Sequence, residues 1–133
     1  SRSRMLSSDV SAAYDPLFAP CFEKRNSAYF GHGLVFNKYT GSRGKGNSND
    51  ANAEYIAAIR AMMDRRGVAF QTAELGKIDV GGGGTIAYIT ALYGMEVIDS
   101  GVAVLNMHAP QEVTSKTDVY EAYRGYCAFL QEA

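Results

Sequence analysis

Two side chains in this sequence sit where chemistry is usually done. Asp9 ends the short strand candidate that starts at Met5, and His108 follows the apolar run of residues 97–105, just ahead of Ala109 and Pro110. A carboxylate and an imidazole at strand ends are oxygen and nitrogen donors of the kind that bind zinc or move protons. The chain has only two histidines, and the other, His32, stands between Gly31 and Gly33 with nothing local to orient it, so it reads as a core or surface residue. Between the two candidates lie four consecutive glycines, residues 81–84. Each glycine loses more backbone freedom on folding than any other residue, so such a run belongs where backbone takes positive φ or lies against a ligand or another segment. Gly82 and Gly83, at its centre, are the candidates for contact with a substrate. Lys38, Arg43 and Lys45 add a basic set that could hold an anion or simply keep a loop solvated.

The glycine run does not complete a nucleotide motif. Gly84 is followed by Thr85 with no lysine, Gly44-Lys45 is followed by Gly46, and the third glycine of a dinucleotide fingerprint is replaced by Ile86.

Stepping outward, the pattern predicts the elements that carry these residues. Residues 5–10 read as a strand, and Pro16 and Pro20 keep the next segment irregular. Residues 22–30 read as a surface connection anchored by aromatics. Residues 33–40 read as a strand with Leu34, Phe36 and Lys38 on one face and Val35, Asn37 and Tyr39 on the other. Residues 41–50 read as a flexible glycine-rich basic loop ending in Asn49 or Asp50 as a helix N-cap. Ile56, Ile59, Met62 and Met63 predict a helix over residues 51–66, closed by Gly67. A strand over 68–72 precedes the glycine loop, and residues 85–93 read as a helix closed by Gly94. Its N-terminus would offer free amides to a negative group. The run 97–105 reads as one buried strand. Ser115 and Asp118 predict the cap of a last helix, with Val119, Tyr123, Tyr126 and Leu130 as its inner stripe. Strands alternating with helices argue an α/β layer structure.

At 133 residues the chain is one domain's worth, or part of a larger one, and at 47% hydrophobic and 20% charged it is ordinary for a soluble protein. A net charge of -1 gives no global attraction to nucleic acid or an anionic membrane. No apolar run approaches the roughly 20 residues of a membrane span. The opening SRSRMLSSD has no apolar core of a signal peptide, and a strand already under way at Met5 is expected to mark a truncation or processing point. Cys21 and Cys127 follow no ligand spacing; reduced thiols in a cytoplasmic setting are expected, with one disulfide possible.

Six blocks in order carry a resemblance that covers essentially the whole chain: SSDVSAAYDP at 7–16, KYTGSRGK at 38–45, SNDA at 48–51, QTAELGKID at 71–79, GGGGTIA at 81–87 and MHAPQE at 107–112. Together they resemble the C-terminal part of the aspartyl aminopeptidase / aminopeptidase I family of dizinc exopeptidases, in its bacterial branch. The resemblance implies a three-layer α/β/α zinc-exopeptidase-like fold, of which residues 1–133 are the C-terminal part of the catalytic domain. It implies removal of N-terminal amino acids from peptides by metal-activated water, with two zinc ions per complete site and Mn or Co as possible substitutes. Asp9 matches the terminal carboxylate ligand of one metal and His108 the imidazole ligand of the other. The family's first histidine, bridging aspartate and Glu-Glu pair, including the general base, have no counterpart here. The chain alone is therefore expected to be inactive and to need the missing N-terminal half as a partner. The resemblance further implies a dodecameric homo-oligomer, with residues 41–49 and the aromatics Tyr29 and Phe30 as contacts. Where the acid-preferring animal enzymes carry a histidine three residues after the ligand aspartate, this chain has Ala12. Neutral N-terminal residues are then the expected substrates, with Lys38 and the glycine loop as contacts. The rival readings are a non-catalytic assembly or binding module with the same fold, and a small anion- or nucleotide-binding domain built on the glycine loop.

Overall fold

The computed structural model describes residues 3–42, 46–77, 79–80 and 83–132. In chain order the elements are β1 (Arg4–Ser8), β2 (Ser11–Ala12), β3 (Leu34–Asn37), β4 (Tyr39–Ser42), β5 (Gly46–Asp50), α1 (Ala53–Arg66), β6 (Phe70–Thr72), α2 (Ala87–Ala91), β7 (Glu96–Gly101), β8 (Ala103–Leu105), β9 (Val113–Thr114) and α3 (Lys116–Glu132). Short 3-10 turns at Pro16–Cys21 and Lys24–Asn26 fill the segment that Pro16 and Pro20 keep out of a ladder.

Four strands form the central sheet in the order β1-β7-β3-β6. β1 is parallel to β7, β7 antiparallel to β3, and β3 parallel to β6, so the sheet is mixed and the α/β class stands. Alternation sorts the side chains. Leu34, Phe36 and Ile98 face one way, into a core with Tyr55, Ile59, Met62 and Met63 of α1 and Ala122 and Ala128 of α3. Val35 faces the other way, into a smaller cluster with Ala13, Ala28, Ala73 and Ala103. All four residues of β3 are buried, as expected of a strand covered on both faces.

Several expectations are corrected. Residues 41–42 and 46–50 are not free loop: β4 and β5 pair antiparallel, with a register shift between Thr40 and Ser42. Left-handed Asn47 (φ 49) helps turn the returning strand. The cap of α1 is Asn52, whose side chain accepts from the Tyr55 amide at 2.7 Å. Asn49 is instead buried and donates to the Val97 carbonyl, and Asp50 pairs with Lys38. The run 97–105 is two strands in two sheets, broken at Val102. The expected helix over 85–93 holds only five residues, Ala87–Ala91, and its Ala87 amide is already taken by the Thr85 hydroxyl at 3.3 Å, so it presents no anion site.

Of the expected inner stripe of α3, Tyr126 packs against the core, but Val119, Tyr123 and Leu130 face outward. Tyr123 is 64% exposed and Leu130 is 82% exposed. The buried face is Asp118, Glu121, Ala122, Gly125 and Ala128. Size decides this. A Cβ on Gly125 would stand 2.7 Å from Leu34 Cδ2, so the helix lies too close to the sheet for a large side chain. The two acids are held by backbone: Asp118 accepts from Gly31 and Gly33 amides at 2.9 and 2.8 Å, and Glu121 from the Ala69 amide at 2.8 Å.

Candidate functional site

Asp9 sits in the two-residue link between β1 and β2. Its amide donates to the Ser100 carbonyl at 3.1 Å, which pins it to the end of β7. Its carboxylate is exposed, accepts from the Val10 amide at 2.7 Å and has no ion-pair partner among the described residues. What brings the link so close to β7 is Gly101: a Cβ there would meet the Asp9 carbonyl oxygen at 1.3 Å. A glycine inside a strand marks such an approach, and this was the readable signal for a residue the sequence patterns passed over.

The surroundings of Asp9 are unusual for a sheet end. Among the described residues, the buried side-chain oxygens without a hydrogen-bond partner are Ser7 Oγ, Ser11 Oγ, Asp99 Oδ1 and Ser100 Oγ. Ser7 and Ser11 flank Asp9 in sequence, and Asp99 and Ser100 are the β7 residues paired with Ser7 and Ser8. Each unsatisfied group costs roughly 1–3 kcal/mol. They lie together beneath one exposed carboxylate, that of Asp9. Asp99 itself is 2% exposed. Burial pushes its carboxyl up, the hydroxyls of Thr85, Thr40 and the nearby Ser7 pull it back, and the Asp9 carboxylate raises it again. An aspartate in the middle of an apolar run was the sign of it in the sequence.

His108 lies in the turn after β8. Asn106 and His108 are both left-handed (φ 58 and 68), a turn conformation that asparagine and histidine adopt more readily than most residues. The Ala109 amide closes the turn on the Asn106 carbonyl at 2.9 Å, and the His108 amide donates to Glu112 Oε1 at 2.6 Å. The imidazole is exposed and has no partner among the described residues. β2 and β8 are parallel neighbours in the register Ser11↔Ala103 and Ala12↔Val104. Asp9 and His108 thus flank one strand pair, Asp9 ahead of its start and His108 beyond its end.

By donor type, Asp9 and His108 fit zinc: one oxygen, one nitrogen, both open to solvent. By number they do not complete a site. Among the described residues no group of three or more His, Cys, Asp or Glu side chains could hold a metal ion.

Gly82 lies outside the described residues, as do Gly81, Arg43 and Lys45. Gly83 does not have the positive φ expected of it, and a Cβ on it would meet nothing within 4 Å. Its carbonyl accepts from the Gly41 amide at 3.1 Å, tying the loop to β4. Lys38 stands at the kink between β3 and β4, where it pairs with Asp50 across the hairpin. Both are more than half exposed, so the pair is weak and Lys38 is free to exchange partners. Glu74 is near them; burial pushes its carboxyl up to about 7, against the pull of the Tyr39 amide and Lys38. His32 is exposed and stacks 5.9 Å from Tyr29, in line with a surface role. Tyr29 is not an exposed aromatic: it is half-buried beside Tyr14, with its hydroxyl on the Lys24 carbonyl. Both cysteines are free.

Comparison with known proteins meets this geometry at the level of the whole chain. Residues 1–130 match the family model described as aminopeptidase I zinc metalloprotease (M18). A probable M18 family aminopeptidase 1 of Clostridium acetobutylicum is 67% identical over 128 residues, 96% of this chain and 28% of the relative. The crystal structure of aminopeptidase I from that organism superposes with a TM-score of 0.91, again over 96% of this chain and 28% of the other. The M18 aminopeptidase structure of Thermotoga maritima, 45% identical, gives 0.90 over 94% of this chain and 28% of its own. The chain thus spans under a third of the length of the relatives it matches.

Proposed function

The chain belongs to the aminopeptidase I zinc metalloprotease (M18) family, and on that premise we propose that it is the C-terminal part of a catalytic domain that removes N-terminal residues from peptides. The observation that carries this reading is the family match across residues 1–130. In this reading Asp9 and His108 each hold one of two zinc ions, with Mn or Co as substitutes, and the remaining ligands and the general base come from an N-terminal half. Zinc, when bound, supplies the Lewis acidity that polarises a scissile carbonyl.

The chain's own residues have distinct tasks. The Ser100 carbonyl and Gly101 hold the Asp9 backbone, so its carboxylate projects from a rigid sheet end. The left-handed turn presents the His108 imidazole without a competing hydrogen bond. The open side of Gly83, with no neighbour within 4 Å of a would-be Cβ, is a face against which peptide backbone can lie. Lys38 exchanges Asp50 for a polar group of the substrate. With Ala12 three residues beyond Asp9, neutral N-terminal residues are the proposed substrates. No helix among the described residues is long and apolar enough to cross a membrane. A cytoplasmic homo-oligomer, a dodecamer as the family resemblance implies, completes the proposal.

The test is hydrolysis of an aminoacyl anilide, with metal analysis, by the 133-residue chain alone and joined to an N-terminal half. Activity and bound zinc are expected only in the joined form. There, His108→Ala and Asp9→Asn should each lower turnover by about 100-fold or more, beyond the loss typical of a ligand's outer partner. Metal-free, inactive protein in the fully assembled form would favour the assembly module instead. Near-normal kcat in His108→Ala would remove its ligand role.

A further inference from the structure

The glycine loop is fastened at one point by a chain of side chains that runs into the centre of the sheet. The Ala87 amide donates to Thr85 Oγ1 at 3.3 Å, Thr85 Oγ1 lies 3.4 Å from Thr40 Oγ1, and Thr40 Oγ1 donates to Asp99 Oδ2 at 3.2 Å. An ionised carboxylate can only accept, and a hydroxyl has one proton to give. The direction is set from the buried end: Thr40 gives its proton to Asp99, and Thr85, whose hydroxyl also pulls the Asp99 carboxyl down, turns its own proton toward Thr40 and that carboxylate. That leaves the lone pairs of Thr85 for the Ala87 amide. Hydrogen bonds aligned in one direction polarise one another, and inside a protein each is stronger than in water. Thr40 is buried, and Asp99 is 2% exposed on β7, paired with Ser7 two residues ahead of Asp9. A second tie, the Gly41 amide on the Gly83 carbonyl at 3.1 Å, joins the same loop to the same hairpin.

We infer that Asp99 is a positioning residue for the segment from Gly83 to Ala87: through Thr40 and Thr85 it fixes that segment's distance from the sheet end that carries Asp9. The inference rests on the reading of Gly83 as the face that receives peptide backbone. Asp99 does not touch the substrate. It sets where that segment stands, and so how tightly the peptide is held beside Asp9. The relay also accounts for a charged residue at the middle of the sheet, since an apolar residue at 99 would pack there but would leave the two threonines without a terminus.

The experiment uses the enzyme joined to its N-terminal half and four variants: Thr40→Val, Thr85→Val, the double substitution, and Thr85→Ser. Valine keeps the shape of threonine and removes only the hydroxyl. Two readouts are taken, hydrogen exchange of the amides from Gly83 to Leu92 and steady-state kinetics on an aminoacyl anilide. Each single valine variant is expected to speed loop exchange and raise KM, both by about tenfold, with kcat little changed, the signature of lost binding rather than lost chemistry. Because both break one chain, the double variant should be no worse than the worse single one. Thr85→Ser should restore the wild-type values. Loop exchange and KM that stay at wild-type values in Thr40→Val overturn the relay, as do single effects that add fully in the double variant. A drop in kcat without a rise in KM also overturns it, since that would place the effect at Asp9. If the joined wild-type enzyme hydrolyses nothing, the aminopeptidase reading fails on its own account, and loop exchange with the double variant still decides the relay.

Discussion

A single hydrogen atom's worth of space decides where Asp9 stands. Gly101→Ala places a Cβ 1.3 Å from the Asp9 carbonyl oxygen, so backbone has to move. The expected cost is about 1–3 kcal/mol or more of stability, as for other overpacked sites, with zinc content falling in the joined enzyme. Gly83→Ala is the contrast. Its backbone needs no positive φ and its surroundings are open, so denaturation midpoints should be within about 0.5 kcal/mol of wild type. Glu74 gives a prediction in pH. Its carboxyl rises from 4.5 to about 7 on folding, chiefly through burial. A group raised in this way contributes stability that is complete below the unfolded pKa and is lost as pH rises through the folded one. The loss across this window is at most about 3 kcal/mol. Glu74→Gln should flatten it, leaving the variant more stable than wild type by about 1–3 kcal/mol near pH 8 and little different near pH 4. Urea denaturation at the two pH values measures this.

At the scale of elements, α3 shows how polar backbone contacts can replace an apolar stripe. Asp118 is fully buried and satisfies the amides of Gly31 and Gly33, which hold the turn leading into β3. Asp118→Ala should cost about 3 kcal/mol or more, because two buried donors lose a charged acceptor. Leu130→Lys, at a position 82% exposed, should change stability by about 0.5 kcal/mol or less. The opposite ranking would restore the apolar-stripe view of this helix. α1 followed its pattern because Ile59, Met62 and Met63 pack with Leu34, Phe36 and Ile98 of the sheet, and Gly67 at φ 62 closes it.

For the molecule as a whole, much apolar surface faces outward. Val119, Tyr123 and Tyr126 of α3 line a groove of about 580 Å³ with Val10, Val102 and Asp9. Leu92 and Tyr93 at the end of α2 are 80% and 79% exposed. Contiguous apolar surface of this kind marks contact with other protein. The 133-residue chain is expected to bind a hydrophobic dye, and joining it to the N-terminal half should remove most of that binding. An unjoined chain that binds no dye would contradict this.

Local chemistry settled the existence of α1, its closure at Gly67 and the α/β class, because helical periodicity and a turn glycine act over a few residues, whereas β1 ends at Ser8 rather than at residue 10 and the cap of α1 falls to Asn52. The six blocks of resemblance reached further, to the family, since a motif order preserves what no single residue states. Tertiary structure alone decided which face of α3 is buried, that residues 46–50 pair back on β4, and that Asp99, Thr40 and Thr85 meet. Each of those depends on how closely two segments distant in the chain approach one another. Leu34 against Gly125 and the Asp9 carbonyl against Gly101 are distances of that kind, and no pattern along one segment contains them.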